Sequence, residues 1–140
     1  MVGLVSKLHL GCGPFRFPGF ENLDLELGHD LREGLPWFPD GSCELVYSCH
    51  LLEHLTYAEG ARLLAETHRV LAPGGVVRLA VPDFRLFADA YLRGDIRFAR
   101  RYFENYYPNG VEPGSPADEA LDLGALAPLY VIARDWGHKA

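Results

Sequence analysis

The sequence lacks three features that would place it in particular classes of protein. It has no run approaching the ~20 apolar residues of a membrane span, its three cysteines include no CxxC pair, and it has no excess of positive charge. The odd number of cysteines, Cys12, Cys43 and Cys49, favours reduced thiols over a disulfide framework. A formal net charge of -6 argues against a nucleic-acid surface, which needs clustered lysine and arginine.

The rest of the composition is that of a globular protein. A chain of 140 residues with 49% hydrophobic and 23% charged residues fits one domain with one core. The opening residues, MVGLVSK, lack the long apolar region of a signal peptide. We therefore expect a single soluble, cytoplasmic domain over residues 1–140, with no membrane and no nucleic acid as partner.

Short apolar runs predict a parallel sheet. The run ELVYSC at residues 44–49 is nearly continuous, as in strands buried on both faces. The predicted strands are Lys7–Leu10, Glu21–Leu25, a very short one at His29–Leu31, Glu44–Cys49 and Gly75–Val81.

One helix is marked at both ends. Thr56 and Glu59 have the spacing of a capping box, and Pro73-Gly74-Gly75 stops the helix. A strand, a helix and a strand in this order predict a right-handed βαβ unit. The expected fold is α/β, a Rossmann-like three-layer fold with a mostly parallel sheet of about five strands.

After residue 83, where these elements end, the chain is predicted to be helical and then irregular. Residues 83–93 have apolar side chains at helical spacing, and Gly94 breaks the pattern. Asp95 is placed to cap a second helix, which carries Phe98, Tyr102, Phe103 and Tyr106. Residues 108–116 read as a loop, and residues 121–136 are ambiguous between helix and strand. Residues 84–140 are thus predicted to form a helical and loop region. One expected role of this region is to cover the site of an acceptor substrate.

A glycine turn and a downstream carboxylate predict a nucleoside site. Gly11 and Gly13 follow the first strand, and Asp24 lies at the end of the second. Glycines let the backbone approach a ligand closely, and a carboxylate accepts hydrogen bonds from ribose hydroxyls. The dinucleotide fingerprint needs a third glycine where Arg16 stands, and residues 14–23 leave no room for a crossover helix. A nicotinamide-dependent oxidoreductase is therefore disfavoured.

The segment from His50 to His54, HLLEH, matches the H-x-x-E-H pattern of one zinc peptidase class. Zinc needs both imidazoles on one helical face and a third ligand. Because His50 falls where a strand ends, the two imidazoles would not share a regular helix. We expect no metal site, and for Glu53 and His54 only packing and hydrogen bonding.

Three linked motifs carry a family resemblance. KLHLGCGPFRFPGFENLDLE, then HDLREGLPWFPDGSCELVYSCHLLEHL, then RVLAPGGVVRLAVPD resemble the methyltransferase-11-type branch of the class I S-adenosylmethionine-dependent methyltransferases. The resemblance covers about residues 7–83. It implies a cofactor site made of ten residues, namely Gly11, Cys12, Gly13, Asp24, Leu25, Asp30, Leu31, Ser48, Cys49 and His50.

The resemblance also implies what each part of this site does. The turn at residues 11–13 would pass beneath the methionine and ribose, and Asp24 would hold the ribose hydroxyls. Asp30 and Leu31 would meet the adenine ring. Residues 48–50 would line the methionine and methyl side.

The implied activity is methyl transfer from S-adenosylmethionine, with S-adenosylhomocysteine as product. A general base helps if the acceptor carries a proton, and His50 is the nearest candidate by sequence. The chain has no [DN]PP[YF] motif of amino-methylating nucleic-acid enzymes, which favours a small-molecule acceptor. The alternative is a non-catalytic or regulatory module that binds the cofactor.

The sequence departs from the family at its C-terminal side. The family sheet has seven strands, of which the last two form an antiparallel hairpin that we expect to be missing here. The strand at residues 76–81 would then be an apolar edge, and such edges tend to pair. We therefore hold three expectations open: a truncated product, a partner chain that completes the sheet, or a homodimer that covers the edge.

Overall fold

The computed structural model describes residues 7–95, 97, 98 and 101. They belong to two compact units, one over residues 7–82 and one that begins at Asp83. The first unit contains a four-stranded, wholly parallel sheet in the order β2-β1-β3-β4. Its elements are β1 (Lys7–Leu10), β2 (Glu21–Leu23), β3 (Cys43–Cys49), α1 (Tyr57–Val70) and β4 (Leu71–Ala80). This is the Rossmann-like α/β fold that the sequence predicts.

The core lies on one face of the sheet. Leu8 is paired with Val46, and Leu10 follows Leu8 on the same face because side chains alternate along a strand. All three are buried, at 1% exposure or less. They join a cluster that also contains Leu23, Leu31, Leu35, Cys43, Leu63 and Val70. The apolar residues of α1 and of the loop at residues 31–35 therefore cover this face.

The opposite face is covered by a loop. His9 pairs with Tyr47 across β1 and β3, and the ring of Phe17 stacks on His9 with centroids 4.3 Å apart. The Phe17 ring also lies 5.4 Å from that of Tyr47. Residues 14–20 contain no helix, as the spacing between Gly13 and Asp24 predicts. Aromatic contacts thus replace a crossover helix on this side.

The predicted third strand, His29–Leu31, is wrong. Asp30 instead caps a 3₁₀-helix at Leu31–Glu33, and its Oδ1 accepts a 3.1 Å hydrogen bond from the backbone N–H of Arg32. Aspartate side chains that bond nearby backbone groups compete with strand pairing. The described sheet accordingly has four strands rather than about five.

The second strand is shorter than predicted. It ends at Leu23 rather than Leu25, because Asp24 caps a 3₁₀-helix at Leu25–Leu27. The Asp24 side chain accepts a hydrogen bond from the backbone N–H of Glu26 at 3.1 Å. The carboxylate therefore stands at the carboxyl end of β2.

The capping box at α1 is confirmed. The Thr56 side chain accepts from the backbone N–H of Glu59, and the Glu59 carboxylate accepts from that of Thr56 at 2.8 Å. The following strand begins at Leu71, before the predicted Gly75, because a shift in its pairing with β3 accommodates Pro73-Gly74-Gly75. Proline is tolerated in an edge strand.

The second unit begins with α2 (Phe84–Leu92), which Asp83 caps by accepting from the backbone N–H of Arg85 at 2.9 Å. The helix ends before Gly94, which has φ +62°, as the sequence predicts. Asp95 accepts from the backbone N–H of Arg97 at 3.1 Å, and residues 97, 98 and 101 are helical. The ring of Phe98 meets Phe87 edge-on, with centroids 4.9 Å apart.

The remaining predictions for the C-terminal side lie outside the described residues. They concern Tyr102, Phe103 and Tyr106 on the second helix, the loop at 108–116, the ambiguous segment 121–136 and the missing hairpin. Within the described part, no helix has the length and apolar character needed to cross a membrane.

Candidate functional site

A left-handed turn follows β1. Gly11 and Gly13 have φ values of +67° and +51°, in the region that L-residues with a side chain rarely adopt. The turn is held against β2, because the backbone N–H groups of Gly11 and Cys12 donate to the carbonyl oxygen of Leu23 at 2.8 and 3.2 Å. Two glycines are thus needed where the chain leaves the sheet.

Asp24 is joined directly to this turn. Its Oδ2 accepts a 2.9 Å hydrogen bond from the backbone N–H of Gly13, while Oδ1 accepts from Glu26. A carboxylate has about four lone-pair positions. Two acceptor positions therefore remain for hydroxyl groups of a ligand beside the turn.

The two glycines serve different purposes. A Cβ built on Gly11 would lie 3.0 Å from Cδ1 of Leu51, so a side chain there would crowd Leu51 as well as strain the backbone. A Cβ on Gly13 would meet no atom within 4 Å. The space beside Gly13 is consequently open on the side where a side chain would project.

Cys12 lies between these glycines but is buried, at 2% exposure. Burial is the main cause of the raised pKa of its thiol, and the charge of Asp24 adds to it. A thiol that holds its proton is a poor nucleophile. Cys12 is thus suited to packing beneath the turn.

The residues predicted to meet adenine have other partners in this structure. Leu31 is buried in the core at 5% exposure. Asp30 accepts from the Arg32 guanidinium at 2.8 Å (Nε to Oδ1) and 2.6 Å (Nη2 to Oδ2), and this contact lowers the pKa of Asp30. By contrast, Leu25 is 64% exposed and directly follows Asp24. The adenine contacts of Asp30 and Leu31, and the place of Leu25 in the cofactor site, stay predictions.

The end of β3 reaches the same edge of the sheet. Ser48 is buried and its Oγ donates to the carbonyl oxygen of Leu10 at 3.1 Å, so it ties β3 to β1. Cys49 is half-buried. His50 has φ +56° and its backbone N–H donates to the carbonyl oxygen of Ala80 at 3.0 Å. These three residues stand beside the glycine turn because β1 and β3 are parallel neighbours.

The sequence predicts packing and hydrogen bonding for Glu53, and the structure adds an unusual environment. Its Oε1 lies 3.0 Å from Nδ1 of His50. The side chain is 9% exposed, and Oε2 is buried without a hydrogen-bond partner. Glu53 belongs to the HLLEH segment, but that pattern does not indicate that one carboxylate oxygen lacks a hydrogen-bond partner.

His29 is a second residue that the sequence did not single out. Its ring meets Trp37 edge-on with centroids 4.9 Å apart, and its Nδ1 is buried without a partner. Its backbone N–H donates to the carbonyl oxygen of Asp24 at 3.0 Å. No spacing or motif distinguishes His29 in the sequence.

Comparison with known proteins bears on this arrangement. The family model of the methyltransferase domain matches residues 21–79, which include Asp24, Ser48 and His50 but not the glycine turn. That family generally uses S-adenosylmethionine. No solved structure matches the chain significantly.

A curated relative covers more of the chain. It is an uncharacterized 37.1 kDa protein in transposon TN4556 of Streptomyces fradiae, 34% identical over 116 residues. The match spans 79% of this chain and 32% of the relative, so the chain spans about a third of the relative's length. With the parallel sheet and the motif order, the match over residues 21–79 is consistent with a methyltransferase domain of the class I, S-adenosylmethionine-dependent type, which the sequence resembles.

Proposed function

We propose that this chain binds S-adenosylmethionine at the carboxyl edge of its sheet and transfers the methyl group to a small-molecule acceptor. The observation that carries the proposal is the hydrogen bond between Gly13 and Asp24, which places a carboxylate beside an open glycine turn. The family match over residues 21–79 supports the same cofactor.

The residues present fit a phosphate-free nucleoside. Asp24 has acceptor positions left for the two ribose hydroxyls, and Gly13 leaves room for the ligand to approach the backbone. The sheet edge has no crossover helix after β1 whose N-terminus could hold a pyrophosphate. These features favour S-adenosylmethionine over a dinucleotide.

When bound, S-adenosylmethionine supplies an electron-poor methyl group on a sulfonium. The protein supplies position: the glycine turn and Asp24 would fix the nucleoside, and the end of β3 would face the reacting side. Such orientation can lower the activation barrier by about 7–11 kcal/mol. His50, whose Nδ1 lies 3.0 Å from Oε1 of Glu53, is the candidate that would take the proton of a protic acceptor.

Titration calorimetry with S-adenosylhomocysteine tests the cofactor assignment. Wild-type protein should bind it and should not bind NADH. Asp24→Asn should weaken binding about tenfold or more, because hydrogen bonds to a charged group are lost. Glu26→Gln removes the same charge from an exposed neighbour and serves as control. Equal affinity in wild type and Asp24→Asn would show that the ribose assignment is wrong.

A non-catalytic module that binds the cofactor is the second candidate. The contacts of Asp24 with the glycine turn account for cofactor binding alone, so both candidates share them. Incubation with methyl-labelled cofactor and a metabolite extract, followed by mass measurement of products, separates the two. Proven cofactor binding without any labelled product would favour the module.

A further inference from the structure

Only one of the two carboxylate oxygens of Glu53 has a hydrogen-bonding contact. Oε1 contacts Nδ1 of His50 at 3.0 Å, whereas Oε2 is buried and has no hydrogen-bond partner. A buried carboxylate oxygen that has lost its water without gaining a donor is costly. Such an atom indicates a donor that the described residues do not supply.

The backbone next to Glu53 is also unusual. Among the described residues, His50 is the one non-glycine residue with a positive φ, at +56°. It is fixed by its backbone bond to Ala80 and by its ring contact with Glu53. Strained conformations that the surroundings hold in place are concentrated at functional sites.

This segment lies against the glycine turn. The side chain of Leu51 occupies the space over Gly11, where a Cβ would lie 3.0 Å from Cδ1 of Leu51. In the strand order β2-β1-β3, the ends of β2 and β3 stand on either side of that turn, about 10 Å apart for two strand spacings. A nucleoside held by Asp24 with its 5′ substituent directed across β1 would bring that substituent to the segment of His50 and Glu53.

We propose that Glu53 binds the α-ammonium group of the methionine portion of the cofactor, an assignment that rests on the proposed function. An ionised carboxylate only accepts hydrogen bonds and pairs best with a cationic donor. On the 5′ substituent of S-adenosylmethionine the cationic N–H donor is that ammonium group. The side chain of Glu53 is 9% exposed, and its terminal torsion is soft, so rotation about that torsion would have to present Oε2 to the ligand.

The test pairs a ligand series with a variant and does not need the acceptor. The ligands are S-adenosylhomocysteine, its deaminated analogue that keeps the carboxylate, and 5′-methylthioadenosine, which lacks the amino-acid part. Glu53→Gln keeps the shape of the side chain but places an amide N–H₂ where the carboxylate stood. Glu44→Gln is the matched control, since Glu44 is 57% exposed and lies near the amino end of β3, the strand that precedes Glu53.

Calorimetry should show that Glu53→Gln weakens S-adenosylhomocysteine about tenfold or more, a typical effect of losing a charge-assisted bond. For the deaminated analogue, and likewise for 5′-methylthioadenosine, the dissociation constants of Glu53→Gln and wild type should agree within about twofold. Glu44→Gln should match wild type for all three ligands. Glu53→Asp, which keeps the charge on a shorter side chain, provides a second variant if Glu53→Gln does not fold.

The possible failures are distinguishable. If wild type binds none of the three ligands, the proposed function fails and this inference with it. If wild type binds S-adenosylhomocysteine but Glu53→Gln binds it equally well, only the role of Glu53 is overturned. An equal loss for all three ligands also overturns it, because a general distortion of the site does not depend on the amine.

Discussion

The backbone N–H of Gly13 donates a 2.9 Å hydrogen bond to Oδ2 of Asp24. This bond joins the turn after β1 to the residue after β2, and it forms because parallel neighbouring strands end at one edge of the sheet. The second oxygen of Asp24 is fixed by the backbone N–H of Glu26. The carboxylate is therefore oriented by the protein backbone before any ligand arrives.

Gly11 and Gly13 should respond differently to alanine. Gly11→Ala combines a left-handed backbone with contact against Leu51 and should lower the free energy of unfolding by about 2–3 kcal/mol. Gly13→Ala meets open space, so only the backbone cost of about 1–2 kcal/mol applies. Urea denaturation measures both, and calorimetry should show weaker S-adenosylhomocysteine binding for Gly13→Ala.

A double-mutant cycle checks the cause at Gly11. Leu51→Ala removes Cδ1 and Cδ2, two of the three atoms that the new methyl group would meet, so it should cost less stability in the Gly11→Ala background than in wild type. A coupling energy of about 1 kcal/mol is expected for groups in contact. Strict additivity would mean that Leu51 is not the reason for glycine at position 11.

Local signals explain what the sequence could predict. The capping box of Thr56 and Glu59 depends on residues three apart, and β1 and β3 are short apolar runs. The pairing of Gly13 with Asp24 follows once β1 and β2 are taken as neighbouring parallel strands. The fold and the contact between Gly13 and Asp24 therefore follow from local sequence signals.

Features that depend on distant partners were not accessible. The segment His29–Leu31 looked like a strand by composition, but the carboxylate of Asp30 bonds backbone and side-chain groups of Arg32 instead. The unsatisfied oxygen of Glu53 depends on how the chain packs around it. No periodicity in a single sequence records such contacts.

The contacts of Arg69 also join residues that are distant in sequence. We predict that they hold the loop of Leu35 and Phe38 against α1. Its guanidinium donates to the carbonyl oxygens of Phe38 and Leu35 at 2.9 and 3.0 Å, and to Glu66 at 2.7 and 2.8 Å. Arg69→Met keeps the aliphatic stem and should lower the free energy of unfolding by about 2 kcal/mol.

Lys7→Met is the control for Arg69→Met. The ammonium of Lys7 lies 4.0 Å from Glu44 on the surface, so the change should stay within about 0.5 kcal/mol. Urea denaturation of both variants beside wild type gives the comparison. Equal effects would show that the contacts of Arg69 do not fasten the loop.

The same network predicts a pH dependence. The hydrogen bonds from Arg69 are the main cause that lowers the pKa of Glu66 below the ordinary glutamate value of 4.5. A lowered pKa in the folded state contributes stability above about pH 4.5, and this contribution is lost as the pH falls through the lowered value. Wild type should therefore exceed Glu66→Gln in stability at pH 7, and the difference should shrink on acidification. Urea midpoints from pH 7 to below 4 measure it, and a constant difference would contradict the assignment.

The capping box makes a simpler prediction. Thr56→Ala removes the acceptor for the backbone N–H of Glu59 and should lower the free energy of unfolding by about 1 kcal/mol. Tyr57→Ala changes the next residue, which is 94% exposed, and should leave stability nearly unchanged. Thermal unfolding followed by circular dichroism compares the two. A larger loss for Tyr57→Ala would contradict the cap as the source of the effect.

The last prediction concerns β4, an edge of the described sheet with apolar side chains at the surface. Val76 and Val77 are 56% and 45% exposed. We propose that a second copy of the chain pairs along this edge, because apolar edge strands tend to associate. Sedimentation velocity should then show a dimer whose fraction rises with protein concentration.

Two lysine variants test where the dimer forms. Val77→Lys should shift the protein to monomer, since lysine on an edge opposes pairing. Leu25→Lys, an exposed change away from β4, should not. A wild-type protein that stays monomeric at all concentrations would rule out pairing along β4.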